Sequence, residues 1–430
     1  MSSILTNTSA MVALQTLSAV NKSLTEVQGN ISTGKKVASA KDNSAVWAIS
    51  KVMESDVAGF KGISESLGLG ESTVAVARSA AETVNDLLTQ MKAKIVAAQE
   101  ENVDRVKIQA DIDALSDQIG ATVSAAQFNG LNLLSNKETT AGSGTVNVLA
   151  SLDRSSSGVS VSQISVTKQD LGTDASSITT TATAIAAASN NLSGTADSTV
   201  TALTGAATPP TTTVTVGSSV AAGDGYTIAI SAGAGNYVSG VNTTNQNDIK
   251  YIARDGDTMA DVVAGLSKAF NTYVNDAMGD DVSTVAATYN SSTGVITFTG
   301  SSVTSDNFSV SVTQYAAANT TIGGGLEAVA NIDVTTDTGV EAALTDIEDL
   351  IQTSIDAAAS FGSVQGRIET QSDFISTLVD SLKAGIGTLV DANMEEASAQ
   401  LQALQVQQQL AVQAMSIANQ APQTLLSLFR

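Results

Sequence analysis

Cysteine and histidine are both absent from the 430 residues of this chain. Without cysteine there are no disulfide bonds and no thiolate metal ligands. Without histidine the commonest general base, the usual catalytic triads and histidine-based zinc sites are excluded. No nucleophile–base pair, phosphate-binding loop or metal-ligand cluster can be assembled from the remaining residue types. The sequence therefore predicts a protein that is not an enzyme and that holds no cofactor and no metal.

Aromatic residues and positive charge are also scarce. Only 3% of the residues are aromatic although 43% are hydrophobic, so apolar burial relies on Ala, Val, Ile and Leu, which favours long helical pairs over a thick core. The 42 acidic and 20 basic residues give a net charge of −22, and the basic residues form no cluster. We therefore expect no nucleic-acid partner and no binding to an anionic membrane surface.

Long hydrophobic runs are missing as well. None approaches the roughly 18 to 20 apolar residues that span a bilayer, which predicts no membrane insertion. Residues 1–20 lack a basic region and an unbroken apolar stretch, so they do not predict a Sec-type signal peptide.

Apolar residues recur every three or four positions near the N-terminus, which predicts an amphipathic helix ending near Gly34. The stripe on this helix comprises Leu14, Leu17, Val20, Leu24, Val27 and Ile31. A second helix is predicted to begin at Asp42 as its N-cap and to end at the glycines of 68–70. Two more helices follow, and Asn129-Gly130 predicts the tight turn that leads into short hairpins up to about residue 172.

The same spacing is sustained longest near the C-terminus, where it predicts coiled-coil packing. The inner seam comprises Ile347, Leu350, Ser354, Ala357, Phe361, Val364, Ile368, Gln371, Ile375, Leu378, Leu382, Gly385 and Leu389. A terminal seam then begins out of phase, and it comprises Met394, Ala397, Leu401, Leu404, Gln408, Ala411, Met415 and Ala418. The change of phase predicts a bend or break between residues 385 and 391.

The middle of the chain has a different character. Residues 173–222 are rich in Ser, Thr, Ala and Gly and predict a linker or an irregular, loop-rich surface. Residues 226–308 predict strands, one capped helix and further strands, which together form a small α+β module. Asp255 and Asp257, and the pair at 280–281, are interpreted as water-facing carboxylates, because no EF-hand pattern surrounds them.

Neither helical end can bury its apolar stripe alone, so we predict that the two ends pack together. The predicted fold is mainly α with an inserted α+β, β-rich outer part, and the N- and C-terminal helices form a long coiled-coil rod. The predicted domains are 1–34 with 393–430, 35–172 with 330–392, and 173–329. We expect the inner seam to be buried within the chain and the terminal stripes to be buried against other subunits.

Several runs at both ends resemble the bacterial flagellin family. They are Asn7-Thr-Ser-Ala10, Ile31-Ser-Thr-Gly-Lys-Lys-Val-Ala-Ser-Ala-Lys-Asp-Asn43, Phe128-Asn-Gly-Leu-Asn-Leu-Leu134, Gly362-Ser-Val-Gln-Gly-Arg-Ile368 and the ending from Asn419 to Arg430. Trp47 is similar to the alphaproteobacterial variant. The resemblance implies a filament subunit for swimming motility, with a terminal core domain, a helical domain with hairpins and a variable outer domain. It also implies termini that stay disordered until assembly.

The resemblance further implies partners and a location. The partners are further copies of the chain, other flagellins in the same filament, hook-associated and cap proteins, the type III export apparatus and an export chaperone. The location is the secreted, extracellular flagellar filament. The hydroxyls of 173–222 and 299–313 either carry O-linked glycans or form an unmodified polar surface.

Two alternatives to a filament subunit remain open. A hook-filament junction protein has similar ends but lacks an ending like that of 419–423. A filament-displayed adhesin would use the central module, where the few aromatic residues offer little stacking surface for sugars. The glutamines of 404–410 form either a solvated helix face or the lining of a filament lumen.

One stretch departs from the family pattern. The segment recognised by the innate Toll-like flagellin receptor is usually rich in Arg and contains a Glu. The matching positions here are Gln90, Met91, Lys92, Ala93 and Lys94. Because the guanidinium fork and the carboxylate are lost, we expect weak or absent receptor activation.

Overall fold

The computed structural model describes residues 7–155, 158–235, 242–278 and 284–428. The α-helices within these ranges are α1 (Thr8–Thr33), α2 (Ser44–Ala97), α3 (Arg105–Ala125), α4 (Met259–Met278), α5 (Asp337–Val390) and α6 (Met394–Leu428). Five of the six lie toward the two ends, and strands with a single helix lie between them. The predicted class, mainly α with a β-rich insertion, is confirmed.

The chain divides into two compact units. The terminal unit comprises Met1–Glu65, Ser151–Ser160 and Ser372–Arg430, and the inner unit comprises Ser66–Ala150 and Val161–Gln371. Each unit therefore contains segments from both ends of the chain, in agreement with the prediction that the two ends pack together.

Helix α2 runs without a break through the glycines at which we predicted its end, and that prediction is wrong. Its buried face keeps a three-and-four spacing from Ile63 through Leu67, Val74 and Ala77 as far as Ile95. Gly70 continues this buried face because a Cβ there would lie 2.6 Å from Val148 Cγ1, so a small residue is needed for the hairpin to approach the helix.

The N-cap of α2 also differs from the prediction by one residue. Asn43 Oδ1 accepts the Val46 N–H at 3.2 Å, whereas the Asp42 carboxylate accepts the N–H groups of Ala38 and Ser39. The Ser39 N–H and the other hydrogen bonds of this loop lower the pKa of Asp42.

In the inner unit α2 and α5 are antiparallel. Arg78 Nε donates to Gln365 Oε1 at 2.9 Å, and Asn85 Nδ2 donates to Ser354 Oγ at 2.9 Å. As the sequence advances along α2 its partners therefore move backward along α5. Helix α3 is tied to α2 by an ion pair, since Lys94 on α2 and Asp111 on α3 place their charged atoms 2.6 Å apart.

Two hairpins follow α3. Strands β1 (Gln127–Phe128) and β2 (Leu131–Asn132) are joined by Asn129 and Gly130, both with positive φ, at 51° and 80°. This is the backbone that a two-residue turn matching the twist of its strands requires, so the predicted turn is confirmed. Strands β3 (Thr145–Ser155) and β4 (Gly158–Thr167) form one long hairpin.

The central module contains two four-stranded sheets, of order β10-β9-β13-β7 and β11-β12-β8-β6, and a short ladder of β14 with β5. The strands are β5 (Ser177–Ile178), β6 (Leu192–Gly194), β7 (Thr201–Thr204), β8 (Thr211–Val216), β9 (Gly225–Ala234), β10 (Lys250–Ile252), β11 (Ala286–Asn290), β12 (Val295–Thr299), β13 (Asn307–Tyr315) and β14 (Thr320–Thr321). Short 3-10 helices cover Ala317–Asn319 and Glu327–Asn331. The predicted strand–helix–strand order of the module is confirmed.

The prediction of an irregular linker over 173–222 is wrong. Strands β6, β7 and β8 lie in this segment, and β8 is a central strand whose Thr212, Val214 and Val216 point into the core. The strands are short, and in β8 the outward-facing residues are all Thr while the buried ones are Thr212 and two Val, so a composition of Ser, Thr and Ala conceals a real period of two.

Helix α4 covers the inner faces of both sheets. Asp261 in its first turn caps it, since Asp261 Oδ2 accepts the N–H and the hydroxyl of Thr258, both at 2.7 Å. Phe270 on α4 meets Phe298 on β12 edge to face, with ring centroids 5.1 Å apart, within the apolar cluster that α4 shares with the two four-stranded sheets.

A buried polar junction joins the central module to the loops after α3. The Asp170 carboxylate is 2% exposed, lies 3.6 Å from Arg254 Nε, and accepts the N–H groups of Asn136, Gly172 and Gly325. The neighbouring Asp255 carboxylate accepts the N–H groups of Gly142 and Gly144.

The junction and its neighbours correct our interpretation of the acidic pairs. Asp255 faces backbone N–H groups, and Asp257 accepts the Tyr251 hydroxyl at 2.7 Å, so neither carboxylate simply faces water. Burial raises the pKa of Asp257, and the hydrogen bonds from Arg254 and Tyr251 oppose that rise. The pair at 280–281 lies outside the described residues.

Candidate assembly surface

Helices α1 and α6 pack against each other within the terminal unit. The pair is antiparallel, because Asn7 Nδ2 donates to the Ala418 carbonyl at 2.8 Å at one end and Ala392 N–H donates to the Gly34 carbonyl at 3.0 Å at the other. The residues buried or half-buried along the pair are Ala10, Ala13, Leu17, Val20, Leu24, Val27, Asn30 and Ile31 on α1, and Ala397, Leu401, Leu404, Gln408, Ala411, Met415 and Ala418 on α6.

Most of both predicted terminal stripes therefore lies in the contact between α1 and α6. Two members do not. Leu14 is 59% exposed, because Ala13 takes the seam position and the next residue lies about 100° around the helix. Met394 is 44% exposed, and it is the first residue of α6, just before the buried Ala397.

Polar side chains tie the α1–α6 pair at intervals. Asn7 has two roles, since its Oδ1 caps α1 by accepting the Ala10 N–H at 3.0 Å while its Nδ2 binds α6. Midway along the pair Gln408 Nε2 donates to Asn21 Oδ1 at 2.7 Å. This glutamine therefore belongs to the seam, whereas Gln405, Gln407 and Gln409 are exposed.

The two connections out of the pair are bonded to each other. Helix α1 ends at Thr33 and its C-cap is Gly34, whose φ of 69° is left-handed, while α5 ends at Val390. Lys36 N–H donates to the Val390 carbonyl at 2.7 Å, and Lys35 bridges Asp391 in the antiparallel sense. The predicted break between residues 385 and 391 is confirmed at its C-terminal edge, because α5 stops at Val390 and α6 starts at Met394.

The apolar residues that the pair leaves uncovered form the candidate assembly surface. We define it as Met11, Val12, Leu14, Val406, Leu410, Val412 and Ile417, which are between 53% and 68% exposed. An open groove of about 890 Å³ runs along α1 beside Met11, Val12 and Leu14. A second groove, of about 550 Å³, lies between α1 and α6 and is lined by Val12, Ala13 and Ile417. Exposed apolar patches are typical of sites of association, so this surface is a candidate for one.

The inner seam on α5 is largely buried. Ile347, Leu350, Phe361, Ile368 and Ile375 are at most 5% exposed, and Val364, Leu378 and Leu382 are half-buried. The last member of the seam, Leu389, lies outside the buried face of α5. It is 39% exposed, whereas Val379 and Val390 are buried. An unsupercoiled helix drifts by about 20° per heptad relative to a strict seven-residue repeat, so the buried face moves to the following positions.

The five positions of the receptor-related stretch lie on α2. Met91 is fully buried, and Gln90, Ala93 and Lys94 are exposed. Both lysines are engaged within the chain, Lys92 with Glu348 and Lys94 with Asp111.

None of the helices described here is both long enough and apolar enough to cross a membrane. Across the same described residues, no three carboxylates are grouped so that they could hold a metal ion.

Comparison with known proteins points to a single family. Residues 4–139 match the family model described as bacterial flagellin N-terminal helical region, and residues 338–429 match the bacterial flagellin C-terminal helical region. Flagellin A of Rhizobium meliloti is 36% identical over 439 residues, and Flagellin B of that organism is 34% identical over 439 residues. Each of these alignments covers 100% of both chains.

Solved structures give a weaker likeness. The FlgL protein of Xanthomonas campestris aligns with a TM-score of 0.33 at 12% identity, over 78% of this chain and 99% of that one. FliC of Burkholderia pseudomallei aligns with a TM-score of 0.31 at 12% identity, over 69% of this chain and 99% of that one.

Proposed function

Because this chain belongs to the bacterial flagellin family, and is thus a structural subunit of the flagellar filament and not an enzyme, we propose that filament assembly works through the exposed apolar faces of its terminal helices. The α1–α6 pair is the element that presents the candidate assembly surface, and that surface is the part that meets neighbouring copies. The observation that carries the proposal is the exposure of Met11, Val12, Leu14 and Ile417 beside two open grooves.

The energetics favour burial of this surface between subunits. Removing a Leu, Ile or Met side chain from water contributes about 1.5–3 kcal/mol, so the seven residues of the surface can offset the cost of ordering and association. The sequence pattern predicts that seam residues such as Leu17 and Leu401 lie at the contact between subunits. Because α1 and α6 cover that seam in the same chain, we now assign it to the pair itself.

We propose that the pair and the rest of the chain follow the three-domain plan 1–34 with 393–430, 35–172 with 330–392, and 173–329. The first forms the filament core, the second surrounds it and the third is displayed at the surface. Export through the type III apparatus, an extracellular location, and contacts with hook-associated proteins, cap proteins, an export chaperone and other flagellins are part of the same proposal. A chain without cysteine suits passage in the unfolded state.

Removal of either terminal arm tests the proposed role of the pair. Deletion of residues 1–33 leaves the α6 seam uncovered, and deletion of 394–430 does the same to α1. Each truncated chain is expected to stay soluble as a monomer, as seen by light scattering, and to add to no filament seed. Elongation of seeds by either truncated chain, at the rate of the full chain, would overturn the proposal.

We also propose that the stretch at Gln90–Lys94 activates the innate flagellin receptor weakly. It offers lysines in place of a guanidinium fork, and Lys92 and Lys94 already pair with Glu348 and Asp111. In a reporter-cell assay the purified monomer is expected to give a response at least tenfold below that of an Arg-containing flagellin. A full response at equal concentration contradicts this.

A further inference from the structure

Strand β11 is an outer strand of the sheet β11-β12-β8-β6, and within the described residues it pairs with β12 along one side. An outer strand carries backbone N–H and C=O groups that point away from its sheet, and another strand can bind to them. Of the four outer strands in the two four-stranded sheets, β11 is the longest. It has five residues, whereas β6 and β10 have three each and β7 has four.

The sequence of β11 lacks the usual protection of an exposed edge. Natural proteins place a lysine, a proline or a bulge on such strands, and each of these hinders pairing with another chain. β11 reads Ala-Ala-Thr-Tyr-Asn and pairs with β12 in an unbroken register. No charged residue occurs in 282–305, although the whole chain has a net charge of −22. Charge repulsion within this segment therefore does not oppose the pairing of two copies.

The side chain of Asn271 on α4 occupies part of this edge. Its Nδ2 donates to the Ala287 carbonyl at 3.0 Å, and its Oδ1 accepts the Ala287 N–H at 2.7 Å. A carboxamide presents a donor and an acceptor side by side, as a residue of a neighbouring strand does. Asn271 therefore takes the place that one residue of an added strand would occupy.

The alternation of an antiparallel ladder determines which residues of β11 face the edge. Residues bonded to the neighbouring strand alternate with residues whose N–H and C=O groups point away from it. Ala287 bonds to Asn271, so its backbone groups point away from β12, and those of Tyr289, two residues further on, do the same. Thr288, between them, bonds to β12. Asn271 thus covers the first of the two edge-facing residues, and the second, Tyr289, is 52% exposed.

A second copy of β11 fits the edge that Asn271 covers. If two β11 strands run antiparallel with Thr288 opposite Thr288, then Ala287 of each strand lies opposite Tyr289 of the other. Both of these pairs exchange N–H···O=C bonds in both directions, and the contact has the two-fold symmetry that is common between identical chains. The bonds at Ala287 require that Asn271 leave, because it already holds both backbone groups.

We propose that Asn271 guards the edge of β11 and keeps the central modules of two copies from pairing through that strand. The partner that it excludes is a second copy of this chain, joined antiparallel through β11. Such a guard matters wherever many copies are held close together, as in a polymer of the chain. The inference concerns the central module alone and does not depend on the proposed assembly surface.

Hydrogen exchange of the full-length chain, at residue resolution and low concentration, tests whether Asn271 holds the edge. Asn271→Ala removes both side-chain hydrogen bonds and leaves a strong helix former in α4. The Ala287 N–H is expected to exchange roughly threefold to tenfold faster than in the wild type, which is the net contribution of about one hydrogen bond. The Thr288 N–H bonds to β12, so it is the internal control and should keep its wild-type rate.

Sedimentation equilibrium over a series of concentrations tests whether the uncovered edge pairs. The wild type and its variants carry the same terminal helices, so a difference between them reports on β11. Asn271→Ala is expected to raise the association constant by about tenfold or more. As its concentration rises, the Ala287 N–H should become protected again, because a strand of a second copy replaces the missing side chain.

Proline at position 289 tests whether β11 is the strand that pairs. The Tyr289 N–H points away from β12, so Tyr289→Pro removes no bond within the sheet. The chain with both Asn271→Ala and Tyr289→Pro should return to the wild-type association constant. The matched control combines Asn271→Ala with Tyr289→Val, which keeps the N–H and favours a strand, so this chain should associate as Asn271→Ala does.

Three results would each overturn the role of Asn271. They are unchanged exchange of the Ala287 N–H in Asn271→Ala, an association constant of that variant no higher than the wild type's, and association that persists in full with proline at 289. Circular dichroism checks that each variant is folded. If Asn271→Ala fails this check, Asn271→Ser repeats the test, because a single hydroxyl does not replace the paired donor and acceptor of the carboxamide. None of these results bears on the terminal helices.

Discussion

Glutamate at Met11, Leu14 or Ile417 is expected to abolish filament formation while the monomer stays folded. These side chains are 63%, 59% and 68% exposed, and substitutions at such positions usually change the free energy of unfolding by less than about 0.5 kcal/mol. Glutamate is also a good helix former, so α1 and α6 should persist. In the filament, by contrast, the carboxylate would enter an apolar contact without a partner.

The size of the effect follows from the cost of burying that charge. An unpaired carboxylate costs several kcal/mol in a contact between subunits, and each 1.4 kcal/mol changes an association constant tenfold. The critical concentration for polymerisation should therefore rise by about 100-fold or more. Sedimentation of seeded reactions measures it directly, and circular dichroism of the monomer checks the fold.

The matched control for these variants is Gln28→Glu, which adds the same charge to an exposed polar position of α1. It is expected to polymerise at close to the wild-type critical concentration. If Leu14→Glu and Ile417→Glu polymerise as well as Gln28→Glu does, the exposed apolar faces of the pair are not the assembly surface.

Asp170→Asn is expected to lower the free energy of unfolding of the inner unit by about 2–4 kcal/mol. The carboxylate is 2% exposed and accepts three backbone N–H groups beside Arg254. In asparagine one of the two carboxylate oxygens is replaced by an NH₂ group. That group would face either the backbone N–H donors or the Arg254 guanidinium, and it can accept a hydrogen bond from neither. One or more of these buried partners would then lack an acceptor, and this loss is the main cost of the substitution.

Denaturation of the full-length monomer, followed by far-ultraviolet circular dichroism, measures this loss. The control is Asp174→Asn, four residues along the same loop, because Asp174 pairs with Lys137 but is 75% exposed. An exposed pair contributes about 0–1 kcal/mol, so this control should change stability little. Equal effects of the two substitutions would show that the buried junction does not stabilise the inner unit.

The helical ends could be predicted from the sequence because their signal is local and repeated. A three-and-four spacing sustained from Ala397 to Ala418 leaves one face for α6 to bury, and the structure buries that face. The turn at Asn129-Gly130 was predictable for a similar reason, because few other pairs adopt two consecutive positive φ angles.

The errors arose where a local signal competes with packing. Gly68 and Gly70 indicate a helix end by composition, yet the buried face passes through Gly70 and Val148 occupies the space that a side chain would take. The strands of 201–216 are short and threonine-rich, so no composition signal distinguishes them from a loop.

The candidate assembly surface was predicted only in part. Periodicity identifies the face that a helix buries first, which here is the seam between α1 and α6. Met11, Val12 and Ile417 lie off that face and follow no repeat, so the sequence pattern does not single them out as candidates for a contact between subunits. The Asp170–Arg254 junction joins residues 84 positions apart, and a spacing pattern carries no information about such a pair.

A helical reconstruction of filaments built from this chain, at a resolution that shows side chains, tests the account most directly. The quantity to measure is the change in exposure of Met11, Val12, Leu14 and Ile417 between the subunit alone and the subunit in the filament. We expect each of the four to become buried against a neighbouring copy while the α1–α6 seam stays within one chain. If these residues instead face solvent or the lumen, and Leu17 or Leu401 meets the neighbouring subunit, the account is contradicted.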